Sequence, residues 1–166
     1  MKKTILLLLI LFSSNYLFAQ KKDSTYKYWI TLGYMMNKYV SFNLNYTFSP
    51  RDNFYKIGYF VRGGYFFPGI GADGYLYNSI DFSIGKRFQS EWFTAVFFAG
   101  PSYLFGEKLI SNNNKVNFNT IGLQTDVQLL FRPANEFGIG IGLYGNLNFE
   151  KSFAGININF TVGNGK

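Results

Sequence analysis

Five charged side chains recur at alternate positions within otherwise apolar or small-residue runs: Lys56, Arg62, Asp81, Arg87 and Asp126. Gln124 and Gln128 share the parity of Asp126. Alternation places such residues on one face of a β-strand. If the strands close on themselves with their apolar face outward, these groups meet inside. Two chemistries are then open to them: a plug of ion pairs, each charge satisfied by a partner, or the lining of a polar path. Arg62 and Asp81 fall at comparable heights on neighbouring antiparallel strands, and Asp126 approaches from the far side. Pairing Arg62 with Asp81 also sets Lys56 opposite Arg87. Trp29, Phe60 and Tyr144 are predicted to point inward with them, so mutual neutralisation in a nearly filled interior is the expectation.

The other chemistries fare poorly. The chain has no His and no Cys, which removes the commonest general base and metal ligand, thiolate nucleophiles, structural disulfides and acylation at a Cys. Asp81 and Asp126 are a conceivable acid–base pair, but Arg62 is expected to hold them ionised and no catalytic motif surrounds them. The glycine-rich run Phe137 to Gly145 is no phosphate loop, because no helix follows it. No catalytic, cofactor or metal site is predicted.

The elements that position the charges are strands. In FGIGIGLYGNLNF, Phe137, Ile139, Ile141, Leu143, Leu147 and Phe149 share one face, and Gly138, Gly140, Gly142, Tyr144, Asn146 and Asn148 share the other. In SFAGININFTV, Ala154, Ile156, Ile158, Phe160 and Val162 alternate with Gly155, Asn157, Asn159 and Thr161. The polar turn around Glu150, Lys151 and Ser152 makes the pair a hairpin. Six earlier runs are strand-like. Tyr28 to Tyr34 and Val40 to Phe48 alternate cleanly, and Phe54 to Phe66 places Lys56, Gly58, Phe60, Arg62 and Gly64 together. Leu76 to Arg87 places Tyr77, Ser79, Asp81, Ser83, Gly85 and Arg87 together. Trp92 to Phe105 is apolar on both parities, with Phe93, Ala95, Phe97, Ala99 and Tyr103 assigned outward. In the sixth, Val116 and Phe118 have the opposite parity to Ile121, Leu123, Val127, Leu129 and Phe131, which predicts a β-bulge near Thr120. Ser49 to Asn53, Gln89 to Glu91 and Arg132 to Glu136 read as tight turns, and Phe67 to Gly74 and Gly106 to Asn114 as longer loops.

Residues 1–20 carry Lys2 and Lys3, an apolar core from Ile5 to Phe12, and polar and small residues up to Ala19, the pattern of a cleaved secretory signal peptide. The 166 residues allow one further domain, 21–166. The formal charge of +7 falls to +5 without Lys2 and Lys3. Those charges are scattered, with no basic stripe for nucleic acid. Charged residues make up only 15% of the chain, too few to clothe strands whose apolar faces point to water. Aromatic residues gather at strand ends. Tyr28, Phe48, Tyr55, Phe88, Trp92, Phe131, Phe137 and Phe160 fall at one end; Tyr34, Tyr39, Tyr65, Tyr75, Tyr103, Phe118, Phe149 and Phe153 fall at the other. Two such girdles match strands crossing a bilayer. The predicted fold is all-β, an eight-stranded antiparallel up-and-down transmembrane β-barrel.

With the leader ending Phe18, Ala19, Gln20, eight amphipathic strands, and Gly155, Ile158 and Phe160 in the last of them, the mature chain resembles the small outer-membrane β-barrel proteins of Bacteroidota. In architecture it is similar to the OmpA/OmpX-type barrels. The resemblance implies an outer-membrane location and contact with outer-membrane lipid and lipopolysaccharide. It also implies insertion by the barrel-assembly machinery as a monomer, and the tight turns after the second, fourth and sixth strands against the longer loops after the third and fifth predict a periplasmic N-terminus with the longer loops outside. The expected role is structural or surface-interacting, the alternative a narrow porin-like channel.

Overall fold

A computed structural model describes residues 27–36, 40–49, 53–62, 75–90, 92–111, 114–131 and 136–164. The leader, residues 1–20, and the loop 67–74 lie outside the described residues. Eight strands follow in chain order: β1 (Lys27–Met36), β2 (Val40–Ser49), β3 (Phe54–Arg62), β4 (Tyr75–Gln89), β5 (Phe93–Ser111), β6 (Asn114–Phe131), β7 (Phe137–Asn148) and β8 (Phe153–Val162). Each pairs antiparallel with the next, and β1 closes on β8. Closure leaves no sheet edge along the wall, which backbone polar groups in lipid require. No helix among the described residues is long and apolar enough to cross a membrane, which says nothing of a crossing by strands.

The alternation of the sequence becomes the inside and outside of the wall. Ser41, Asn43, Asn45, Thr47 and Ser49 of β2 are buried, and Phe42, Leu44, Tyr46 and Phe48 between them face out. On β7, Ile139, Ile141, Leu143 and Leu147 are exposed while Tyr144 and Asn146 are buried. The facing of β5 is as expected, with Thr94, Val96, Phe98, Ser102 and Leu104 inside. Outward residues of β6 are apolar from Ile121 to Phe131, apart from the half-buried Thr125. At roughly 3.3 Å per residue and a tilt of about 40°, that run covers about 25 Å along the barrel axis, the height of a lipid-facing band.

β1 begins and β8 finishes at one end of the barrel, the near end; the β1–β2, β3–β4, β5–β6 and β7–β8 connections lie at the far end. The near-end aromatics form an outward belt, and rings of Tyr46, Phe48, Tyr55 and Phe82 follow one another at 5.7, 5.6 and 6.3 Å between centroids.

The far end corrects three expectations. Gly106 to Asn114 is not a loop: β5 continues to Ser111 and β6 starts at Asn114, with Glu107 opposite Asn117 and Lys108 opposite Val116. Strand residues above an apolar band need not alternate in hydropathy, so polarity imitated a loop there. Nor is there a bulge at Thr120, which pairs with Leu104 in unbroken register; the one shift lies between Leu109 and Ser111. Finally, Phe118 and Phe153 do not join the outer girdle. Both pack against the inner cluster, Phe153 on Phe60, Tyr77 and Tyr144 and Phe118 edge-on to Tyr77, and Phe118 thereby keeps the parity that the bulge was invoked to repair. Tyr34, Tyr103 and Phe149 keep outward positions, while Tyr39, Tyr65 and the side chain of Tyr75 lie outside what is described.

Candidate functional site: the lumenal charge cluster

The barrel interior is layered. Toward the near end Trp29, Phe54, Val96 and Phe98 pack together, with Trp29 and Phe54 ring centroids 5.5 Å apart. Toward the far end Met35, Phe60, Tyr77, Leu104 and Tyr144 form a second apolar layer, with Phe118 and Phe153 packed against it. Phe60 stacks on Tyr144 at 5.2 Å and on Phe153 at 5.1 Å.

Between the layers lies Lys56. Its Nζ is 3.0 Å from Asp126 Oδ2 and 3.4 Å from Asp81 Oδ2. The same ammonium stands 5.5 Å from the ring centroids of both Phe98 and Tyr144, one from each layer, within the range of a cation–π attraction. The three residues are 0–2% exposed, so the pairings act at low dielectric, where an unmatched charge is costly. Neutral donors complete the carboxylates. Gln128 Nε2 donates to Asp126 Oδ2 at 2.6 Å, Ser83 Oγ to Asp81 Oδ2 at 3.4 Å, and the Tyr144 hydroxyl to Asp81 Oδ1 at 3.5 Å. The single Ser83 hydroxyl hydrogen is shared with Gln124 Oε1.

The sequence-predicted set thus divides. Lys56, Asp81 and Asp126 meet; Arg62 and Arg87 sit elsewhere. Arg62 donates to the Tyr77 hydroxyl at 3.0 Å and lies over that ring at 5.2 Å. Arg87, half-buried, lies 4.8 Å over the Phe54 ring toward the near end. The expected Arg62–Asp81 pairing is therefore replaced by Lys56–Asp81. In the observed register Gly58 faces Asp81, Lys56 faces Ser83 and Arg62 faces Tyr77, four residues away from the register that pairs Arg62 with Asp81. An even slip leaves every side chain on its own face, so the hydrophobic pattern cannot distinguish the two. The repulsive Lys56–Arg87 contact that troubled the expected register disappears with it.

Partners that sequence reasoning missed are Tyr77, Ser83 and Phe98. Phe98 had a signal in the double apolar parity of β5; the hydroxyls of Tyr77 and Ser83 had none. Gly58 is a further one. A Cβ there would lie 2.4 Å from Asp81 Oδ1 and 2.6 Å from Asn45 Oδ1, so the glycine lets side chains of β2 and β4 lean over β3. Gly58→Ala is expected to destabilise the barrel by about 1–3 kcal/mol through overpacking, measured as a lower urea midpoint for reversible folding into lipid vesicles.

Chemically, the cluster can neutralise charge and fill space. Among the described residues no three His, Cys, Asp or Glu side chains gather to hold a metal.

This architecture has solved counterparts. Over 82% of this chain and 96% of the counterpart, the structure superposes on the N-terminal β-barrel domain of Pseudomonas aeruginosa OprF with a TM-score of 0.68 at 10% sequence identity. The fold is that of the eight-stranded outer-membrane barrels. Neisserial surface protein A matches with a TM-score of 0.58 at 11% identity, covering 82% of this chain and 94% of that one. Ail, the attachment invasion locus protein of Yersinia pestis, matches at 0.54 and 13%, covering 83% and 96%. No protein-family description matches the sequence, and no curated protein does. At these identities the likeness is one of fold.

Proposed function

We propose that the chain is an integral outer-membrane β-barrel with a structural or surface-interaction role, its lumen closed by side chains. The observation that carries this reading is the Lys56–Asp81–Asp126 cluster held between two aromatic layers, all three residues 0–2% exposed. The leader at residues 1–20 supports export. A Bacteroidota source is supported by the sequence resemblance carried by Phe18, Ala19 and Gln20 and by Gly155, Ile158 and Phe160. In this reading the near end is periplasmic, the barrel-assembly machinery inserts the chain as a monomer, and lipopolysaccharide surrounds the far end. No turnover is expected, since the two carboxylates that offer acid–base chemistry are both engaged by Lys56.

The surface role falls to the far end, where the β5–β6 hairpin is held by pairing up to Ser111 opposite Asn114 and by an ion pair from Lys115 to Glu107 at 2.9 Å. Ail has been solved in complex with the heparin analogue sucrose octasulfate. Leaving aside the buried Arg62, the described far-end charges here nearly balance, Lys108, Lys115 and Lys151 against Glu107 and Glu150, which gives a polyanion little to hold and favours a partner recognised through uncharged groups.

One observation favours a narrow channel instead. The wall of β1, β2 and β8 carries Thr31 Oγ1, Ser41 Oγ, both amide atoms of Asn43 and Asn45, and Thr161 Oγ1, none with a hydrogen-bond partner among the described residues. Such groups want water. They are, however, shut off from solvent, which supports closure. Single-channel recording in a planar bilayer tests the choice. A flat baseline is expected, and discrete, reproducible conductance steps would transfer the reading to the channel.

A further inference from the structure

Past Val162 the chain runs on for two residues in the register of both its ladders, Asn164 falling opposite Tyr28 of β1 and Gly163 opposite Glu136 before β7. The β1–β8 register begins with Val162 opposite Ile30, whereas β1 itself begins at Lys27 and pairs Tyr28 and Trp29 with Phe48 and Thr47 on its other side. Without those two residues the near end of β1 would present an open strand edge at the rim of the apolar band. Open edges there leave backbone groups unsatisfied and offer a template to another strand.

Gly163 and Asn164 occupy that position. The Tyr28 N–H donates to the Asn164 carbonyl at 3.1 Å, and the Gly163 N–H donates to the Glu136 carbonyl, just before β7, at 2.8 Å. These are the last rungs of the two ladders that β8 makes, one to each neighbour. Gly163 is the one described residue with positive φ, +145°. A Cβ on it would lie 2.5 Å from the Tyr28 carbonyl oxygen and 2.6 Å from Trp29 Cα. Both the torsion and the close approach to backbone demand glycine. Directly beside it, Trp29 is fully buried in the near-end layer with Phe54, Val96 and Phe98.

We propose that Gly163–Asn164 is a strap that ties β7 to β1 across the end of β8, locking the seam at which the first and last strands close the barrel. That seam is the one joint in the wall not made by a hairpin. It has the largest closure entropy to overcome, and a latch placed on it resists opening where opening is easiest. Gly163 also lies directly against the Cα and Cβ of Trp29, so closure of the wall at this point is coupled to the backbone that carries the tryptophan of the near-end layer.

Amide hydrogen exchange of the full chain in lipid, read residue by residue, tests this. In the parent protein the Tyr28 and Gly163 amides should be protected like those inside strands. Gly163→Ala, or a chain stopped after Val162, should speed exchange at Tyr28 by about tenfold or more while leaving Phe60 and Gln124 unchanged, the mark of a local opening. Asn164→Ala keeps the accepting carbonyl and should behave as the parent. Exchange of Tyr28 in the parent at the rate of an exposed connection would overturn the strap. So would protection at Tyr28 unchanged by both seam variants, or a loss spread equally over all eight strands. Should the shortened chain fail to fold, the parent's own pattern at Tyr28 and Gly163 still decides.

Discussion

Lys56→Met is expected to cost about 3–5 kcal/mol of folding free energy, the magnitude found when one partner of a buried ion pair is removed and the other is left behind. Methionine fills much the same volume between Phe98 and Tyr144, so the loss is electrostatic rather than a cavity. It strands Asp81 and Asp126 together, 2% and 0% exposed, with only the Ser83, Gln128 and Tyr144 donors to hold them. The triple variant Lys56→Met, Asp81→Asn, Asp126→Asn removes every charge of the cluster and should lie closer to the parent than Lys56→Met alone. Arg62→Met should leave the cluster intact, because Asp81 takes its cation from Lys56. Reversible unfolding in urea from lipid vesicles gives all these values. A Lys56→Met variant within about 1 kcal/mol of the parent, the figure for an exposed pair, would mean that water reaches the three groups.

The outer surface yields the second large effect. Leu143 is 60% exposed and lies in the outward row of β7 between the end girdles. Exposed positions of a water-soluble protein tolerate a change to Arg within about 0.5 kcal/mol, whereas an Arg at the midplane of a barrel in lipid costs about 2–4 kcal/mol. Leu143→Arg should therefore lower stability in vesicles by that amount. Asn117→Arg, on the exposed far-end stretch of β6 above the apolar run, should cost about 0–1 kcal/mol, as near an interface. Equal costs at the two positions would contradict a bilayer around the wall.

Period-two alternation was enough to read eight strands, their order and nearly every inward side chain, because a wall with an apolar outer face and little room inside constrains both faces. Where one constraint lapses, legibility lapses with it. The β5–β6 hairpin extends past the apolar band, where neither parity is held apolar, so its polar residues passed for a loop. Phe118 and Phe153 were assigned outward because aromatic type alone does not distinguish a girdle from an inner cap. The cluster was legible as a set of inward groups but not as pairs. The long β3–β4 connection does not fix register, and a four-residue slip exchanges Arg62 for Lys56 without moving a single side chain to the other face. Lys56 sits two residues before Gly58, and that glycine, which gives Asp81 room, was the one sequence cue to the true register.

Two adjacent residues of β4 distinguish a wall that faces lipid outside and encloses a filled interior from one that surrounds a water-filled passage. The chain has no Cys, so Ser79→Cys and Ile80→Cys each introduce a lone thiol. Ser79 is fully buried and Ile80 is 50% exposed. In protein folded into vesicles, a charged, water-soluble maleimide should modify neither thiol until the barrel is unfolded, while a maleimide carried on a lipid chain should modify only the thiol at position 80. Rapid modification at position 79 by the charged reagent would contradict the account and establish a hydrated passage through the barrel.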